Sequence, residues 1–264
     1  MKLIVLIAHY NNLKGLENTL LSIDESFDVD VLVVDDGSQD KPNAEKLQNI
    51  YKNGKIFVEY LPENKGVGIA ANHGLKKIQD MSYELIGRLD CGDLNKKNKY
   101  KRQIEFLKKN PNVKLLGTWA DMVDENGNFL FVLEHPPTYE ELKRKMYLNC
   151  MFVNPTVVFY KDILKTVGDY PKKYRRASQD YAFFFNVMKH FEVANLPESL
   201  LTYVIEDNSI STQKRKLQVK HRIQIIRENF YLGLYPIFGI LRNVALYYVS
   251  RNTTTKLKQI LNGR

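Results

Sequence analysis

Two carboxylates stand three residues apart in Arg88-Leu89-Asp90-Cys91-Gly92-Asp93, directly after the apolar Leu85-Ile86-Gly87. Paired hard oxygen ligands beside a small-residue turn suit a divalent cation that also holds phosphates. A place just past the carboxyl end of a strand is where open α/β sheets bind ligands. A solvated turn uses Asp and Gly equally well, so three further stretches matter. Asp35-Asp36-Gly37-Ser38 ends a second apolar run, Val29 to Val34. A carboxylate there can accept a hydrogen bond from a base imide or a ribose hydroxyl, and Gly37 permits close approach. A turn with a helix cap would read the same. Asn64-Lys65-Gly66-Val67-Gly68 opens a helical pattern, and free amides with a nearby ammonium favour diphosphate; a flexible loop packing on a sheet is the alternative. Asp180 follows Ser178, a good N-cap residue. The helix dipole there favours an ionised carboxylate able to take a proton, or simply stabilises the helix end.

These residues need a frame. Leu3 to Ala8, Val29 to Val34, residues 55–61 and the run ending at Arg88 are short apolar strands of the fully buried, parallel kind. Helical spacing fills the intervals at 13–23, 43–52 and 66–79. The alternation predicts a parallel sheet with right-handed crossovers over residues 1–93. Beyond it the pattern predicts a basic helix at 97–109, a strand at 113–118, a hairpin tipped by Asn126-Gly127, a helix at 139–147, a strand at 156–160, and helices at 161–167 and 181–191. That half is less regular, which predicts mixed or antiparallel strands. The expected organisation is a nucleotide-style half, 1–93, a mixed second half, 94–212, and a basic helical tail, 213–264.

Composition narrows the class. Two cysteines, Cys91 and Cys150, argue against a disulfide framework and point to a reducing compartment. The opening apolar run is too short for a signal peptide and reads as a first strand. Residues 215–264 hold ten of the 39 Lys and Arg and one of the 30 acids, so the net charge of +9 sits entirely in the tail. A whole-surface nucleic-acid binder is therefore disfavoured. No G-x-G-x-x-G follows the first strand and no P-loop is present, so nicotinamide enzymes and P-loop NTPases lose ground.

Ala8-His9-Tyr10-Asn11, Val34 to Ser38, Asn64 to Gly74, Arg88 to Asp93, Asn154-Pro155-Thr156, Gly168-Asp169-Tyr170 and Gln179-Asp180-Tyr181 come in an order and spacing that resembles the family 2 glycosyltransferases. These are inverting, sugar-nucleotide-dependent enzymes of the GT-A fold in bacterial surface-polysaccharide synthesis. The resemblance covers about residues 1–210. It implies that Ala8, Tyr10 and Asp36 line the base and ribose pocket, that Asp90 and Asp93 hold the nucleotide and its Mn²⁺ or Mg²⁺, and that Asp180 is the catalytic base. UDP is the implied nucleotide, and a glycan or lipid-linked oligosaccharide the implied acceptor. The family's frequent D-x-D-D reads Asp90-Cys91-Gly92-Asp93 here, which leaves the metal to Asp93. Its Glu-Asp is Gln179-Asp180, a frequent His is Asn154, and a third-loop Arg is Ala71, leaving Lys65 for the diphosphate.

The tail has its own pattern. Leu217, Ile223, Ile226 and Phe230 sit among Lys216, Lys220, Arg222 and Arg227 at helical spacing, and the apolar run 230–249 is broken by Pro236, Gly239, Arg242 and Asn243. Spanning needs about 20 largely uninterrupted apolar residues, so the expectation is a helix lying on an anionic membrane surface. The alternative is a packed hairpin, covering the catalytic domain or forming a homodimer contact. A cytoplasmic enzyme on the inner face of the membrane follows. Its rivals are a nucleotidyltransferase, which wants a basic loop where His9-Tyr10-Asn11-Asn12 stands, and a silent GT-A-like binding protein, supported by Gly92.

Overall fold

The computed structural model describes residues 1–205, 214–249 and 253. The first half alternates as the sequence predicts: β1 (Leu3–His9), α1 (Leu13–Leu21), β2 (Asp30–Asp35), α2 (Ala44–Ile50), β3 (Ile56–Tyr60), α3 (Val67–Gln79) and β4 (Leu85–Arg88). β1 pairs in parallel with β2 and with β4, and β2 with β3. Strand side chains alternate between faces: Ile4 and Leu6 enter the core that α3 covers, and Leu3, Val5 and Ile7 the one that α1 and α2 cover. Burial on both faces is why these strands are continuous apolar runs. α3 lies hard against β1 because residue 74 is glycine; a Cβ there would stand 2.3 Å from Leu6 Cδ1.

The same sheet continues through β5 (Leu94–Asn95), β6 (Val113–Asp124), β7 (Phe129–Leu133), β8 (Val158–Tyr160) and β9 (Glu192–Ile205), with helices α4 (Lys99–Lys109), α5 (Tyr139–Lys145), α6 (Leu164–Val167) and α7 (Gln179–His190). Its strand order is β3-β2-β1-β4-β8-β6-β9-β5, with β7 beside β6. β8 is antiparallel to β4 and β6, and β9 is parallel to β6, so this half is mixed, as expected. The Asp124 carboxylate accepts N–H bonds from Asn126 and Asn128 and closes the predicted hairpin.

Three departures have local causes. The strand expected at 113–118 runs on to Asp124 because its second half pairs with β7. Asn154–Thr156 is a 3-10 turn, so the strand expected from 156 starts at Val158; Pro155 has no N–H to give a ladder. β9 was not expected. Its apolar residues are split at Pro197-Glu198, where the register jumps between Thr118↔Leu196 and Trp119↔Ser199.

The tail forms two helices, α8 (Arg215–Glu228) and α9 (Leu234–Tyr247), packed against each other, with α8 also touching α7. Val219, Ile225 and Ile226 are buried. A Cβ on Gly239 would stand 2.1 Å from the Tyr147 carbonyl oxygen, and Tyr147 donates its hydroxyl to the Asn229 carbonyl. The packed-hairpin alternative therefore describes the inner side. The outer side leaves Leu232, Leu234, Phe238, Leu241 and Tyr248 exposed, Leu232 at 91%. No helix among the described residues is long and apolar enough to cross a membrane. The expected boundary at 212/213 and the tail's end, 250–252 and 254–264, lie outside the described residues.

Candidate active site

Strand order 3-2-1-4 reverses direction between β1 and β4, and open α/β sheets bind ligands in the crevice at such a point, beyond the strands' carboxyl ends. A cleft of about 820 Å³ opens there. It is lined by Ala8 near the end of β1 and Tyr10 just after it, Asp36 after β2, Asp90 and Asp93 after β4, and Asp180 at the start of α7. Six of the seven sequence-predicted site residues thus share one cleft. Lys65 is the exception: its ammonium pairs with Glu63 at 3.3 Å and does not line the cleft.

A polar network fixes the strand ends. His9 and Asp35 are fully buried and hydrogen-bonded, Nδ1 to Oδ1, at 2.8 Å. His9 Nε2 accepts the Asn12 N–H, so its ring proton sits on Nδ1 and is donated to Asp35. Asp36 accepts the amides of Lys65 at 2.9 Å and Gly66 at 2.8 Å. Burial pushes its carboxyl above the usual range and those amides pull against it. The carboxylate thus ties the 61–66 loop to β2 through Lys65's backbone rather than its ammonium. Tyr10 is 49% exposed at the rim.

The acidic stretch is held from four sides. Thr19 Oγ1 accepts the Gly92 N–H and donates to the Asp93 carbonyl, joining the turn to α1. The Asp90 carboxylate meets Arg88 at 3.6 Å and the Asn154 amide at 3.4 and 3.5 Å. These are loose contacts, and its side chain is 37% exposed to the cleft. Asn72 and Tyr170 exchange two hydrogen bonds, which seats the Tyr170 ring 5.8 Å from the Arg88 guanidinium. Asp93 is nearly buried and accepts the Val204 N–H at 3.1 Å. Behind it Lys99 is wholly buried, donating to Asn95 Oδ1 and the Pro155 carbonyl. Burial pushes its ammonium down to about 7 despite the opposing charge of Asp93.

Asp180 lies in the first turn of α7 and accepts the Tyr181 N–H at 2.8 Å. Burial raises its carboxyl above the ordinary value, Arg222 opposes that shift, and Asp90 adds to it. Here the helix-dipole argument for full ionisation yields to desolvation: the group is a stronger base than a surface carboxylate. The expected cap is absent. Ser178 has φ of +62°, makes no side-chain cap bond, and turns its hydroxyl toward the Gln218 carbonyl on α8.

Several lining residues have no site role in the sequence reading. Arg88 is 1% exposed and donates to the Leu6 carbonyl. A strand-end arginine beside an acidic turn is a readable signal, because a buried guanidinium needs an anion. Arg175, Arg222 and Arg242 also line the cleft. The last two reach it only because the tail folds back, which no local pattern announces.

A nucleotide-type sheet with a carboxylate pair at its switch point and a further carboxylate at the start of a later helix is a GT-A architecture. Residues 4–168 match the model described as glycosyl transferase family 2. The chain belongs to that family and is a glycosyltransferase. The amylovoran biosynthesis glycosyltransferase of Erwinia amylovora is 25% identical over 258 residues, 95% of this chain and 92% of that one. The UDP-Gal:α-D-GlcNAc-diphosphoundecaprenol β-1,3-galactosyltransferase of Escherichia coli is 26% identical over 69% of this chain and 62% of its own. Among solved structures, a mannosyltransferase from Pyrobaculum calidifontis in complex with GDP-Man and Mn²⁺ superposes with a TM-score of 0.65 at 14% identity, covering 99% of this chain and 73% of that one. That likeness is one of fold, and the fold is the GT-A fold expected from the sequence.

Proposed function

We propose that this glycosyltransferase moves a sugar, with inversion, from a nucleotide-sugar to a hydroxyl of a glycan or lipid-linked acceptor in bacterial surface-polysaccharide synthesis. UDP is the first nucleotide to try. One observation carries the reading: Asp36, Asp90, Asp93 and Asp180 line a single cleft at the sheet's switch point. The names of the Erwinia and E. coli relatives support polysaccharide synthesis, and that of the E. coli enzyme a UDP-sugar donor with a diphospholipid acceptor. In this assignment Ala8, Tyr10 and Asp36 receive the base and ribose, and Lys65 turns from Glu63 to the diphosphate. Asp180 takes the proton of the acceptor hydroxyl as that oxygen attacks the anomeric carbon. Displacement is in line and needs no covalent intermediate.

Asp90 and Asp93 fit a divalent cation, Mn²⁺ or Mg²⁺. Asp90 keeps free lone pairs, since its contacts are no closer than 3.4 Å. No group of three His, Cys, Asp or Glu able to hold a metal exists among the described residues. Two carboxylates completed by donor phosphates is the usual Mg²⁺ habit. The ion would neutralise charge on the departing nucleoside diphosphate. The exposed apolar side of α9 and the tail's concentrated positive charge support a peripheral place for the enzyme on an anionic membrane surface, at the inner face.

The test is calorimetric titration of UDP into the purified protein, with Mn²⁺ and then with EDTA. Metal-dependent binding that disappears in Asp93→Ala is the expected result. No binding of UDP, GDP or dTDP by a folded protein would leave the silent scaffold as the better account.

A further inference from the structure

Two arginines from the tail converge where the mechanism just given does not use them. Arg222 on α8 and Arg242 on α9 both line the cleft. Arg242 is half-buried and is anchored through the Leu148 carbonyl at 2.7 Å. Arg222 lies close enough to lower Arg242's pKa, after burial itself, and is the cation that opposes the raised pKa of Asp180. Among the described residues neither guanidinium forms an ion pair. Two like charges held together, half out of water and unpaired, cost stability unless an anion joins them. Their planar forks suit phosphate oxygens.

The position selects which phosphate. In-line displacement puts the leaving diphosphate and the attacking hydroxyl on opposite sides of the anomeric carbon. Arg88 is the cation at Asp90, on the donor side, at 3.6 Å. Arg222 acts on Asp180, on the hydroxyl side, and Arg242 is tied to Leu148, further along the α5–β8 connection. Leu246, one turn beyond Arg242, lines the same cleft, while Leu241 and Val244 on α9 are exposed. A phosphate held by the two arginines would carry an apolar substituent directly onto that face.

We propose that Arg222 and Arg242 form an acceptor-side subsite for a phosphate or diphosphate group carried by the acceptor, next to the base. This rests on the assignment of Asp180 as base and of the donor to the β1/β4 crevice. The probe is geranyl diphosphate, titrated by calorimetry into the full chain already saturated with UDP and excess Mg²⁺. The expected result is a further 1:1 binding event, with geraniol silent. Arg222→Gln and Arg242→Gln each weaken it by about tenfold or more, the loss of a charge-assisted contact, while UDP affinity stays within about twofold. Arg222→Lys and Arg242→Lys recover part of the affinity, and thermal melting monitors the fold. Should Arg222→Gln unfold, Arg242→Gln reads the same site. Displacement of UDP by geranyl diphosphate, loss of UDP affinity in the glutamine variants, or binding indifferent to both overturns the proposal. If UDP fails to bind but geranyl diphosphate still binds through the arginines, the donor assignment falls and takes the acceptor-side role with it, leaving the arginines a diphosphate site.

Discussion

Replacing Gly37 by alanine tests whether the Asp36 clasp builds the donor site. Gly37 has φ of +71°, and a Cβ there would lie 2.4 Å from the Glu63 carbonyl carbon and 2.6 Å from the Asn64 nitrogen. Both obstacles are backbone, so no rotamer change relieves them. The 61–66 loop must move, and with it the Lys65 and Gly66 amides bound to Asp36. Gly127 supplies the control. It has φ of +81° and open space where a Cβ would go. Left-handed alanine costs about 1–2 kcal/mol, partly offset by a stiffer unfolded chain, so Gly127→Ala should lose about 1 kcal/mol. Gly37→Ala adds an overpacking cost of about 1–3 kcal/mol, for a total of about 2–4 kcal/mol. At this size each kcal/mol lowers Tm by about 2–4 °C. Urea melts of both variants give the difference, and calorimetry should find UDP binding weakened by about tenfold or more only in Gly37→Ala. A Gly37→Ala protein as stable as Gly127→Ala, or one that binds UDP like the wild type, refutes the reasoning.

Asp180→Asn should keep UDP affinity and Tm while kcat falls about 10²–10⁴-fold; full transfer activity would remove Asp180 from the mechanism. Since burial raises that carboxyl and the base must be unprotonated, kcat/KM should fall toward acid with a midpoint above the ordinary carboxylate range. Arg222→Gln, by removing the opposing charge, should move the midpoint higher still; a midpoint in the ordinary range contradicts the burial argument. Lys99 is held at about 7 in the folded protein against about 10.4 unfolded. Between those values the unfolded chain binds more protons, so stability of the metal-free protein rises with pH, and Lys99→Met should flatten that rise in urea melts; an unchanged slope assigns it to other groups. Leu234→Asp with Leu241→Asp should abolish co-sedimentation with phosphatidylglycerol vesicles while phosphatidylcholine vesicles bind neither protein. A wild-type chain that ignores both would end the membrane assignment.

The sequence made the first half legible because each strand there is buried on both faces and each helix keeps one apolar stripe. The four acidic site residues were readable for a related reason: they sit where strands end or a helix starts, and topology brings such ends together. Lys65 was readable only as a loop lysine. Its direction is set by Glu63, two residues earlier, and two exposed side chains leave no periodic trace. Ser178 had the right chemistry for a cap and the wrong backbone: its φ is +62° and its hydroxyl turns to the Gln218 carbonyl on α8. β9 was hidden by its own bulge at Pro197-Glu198.

What remained illegible has a common cause. Arg222 and Arg242 reach the cleft from the tail, beyond residue 168 where the family match ends. The donor side is built from strand ends locked by sheet register, so a one-residue slip in β1 or β4 would throw Ala8 and Asp90 out of the cleft together. The proposed acceptor side is built from helices laid over α7 and the 147–152 segment, through contacts such as Gly239 against Tyr147 and Arg242 on Leu148. Register is written in a repeating pattern that a sequence displays. Docking of the tail hairpin is written in scattered contacts, such as Gly239 against Tyr147 and Arg242 on Leu148, whose partners lie about ninety residues away. A chain of this construction can exchange its acceptor surface without disturbing its donor site, so acceptor specificity should follow substitutions in α8 and α9 while UDP affinity does not.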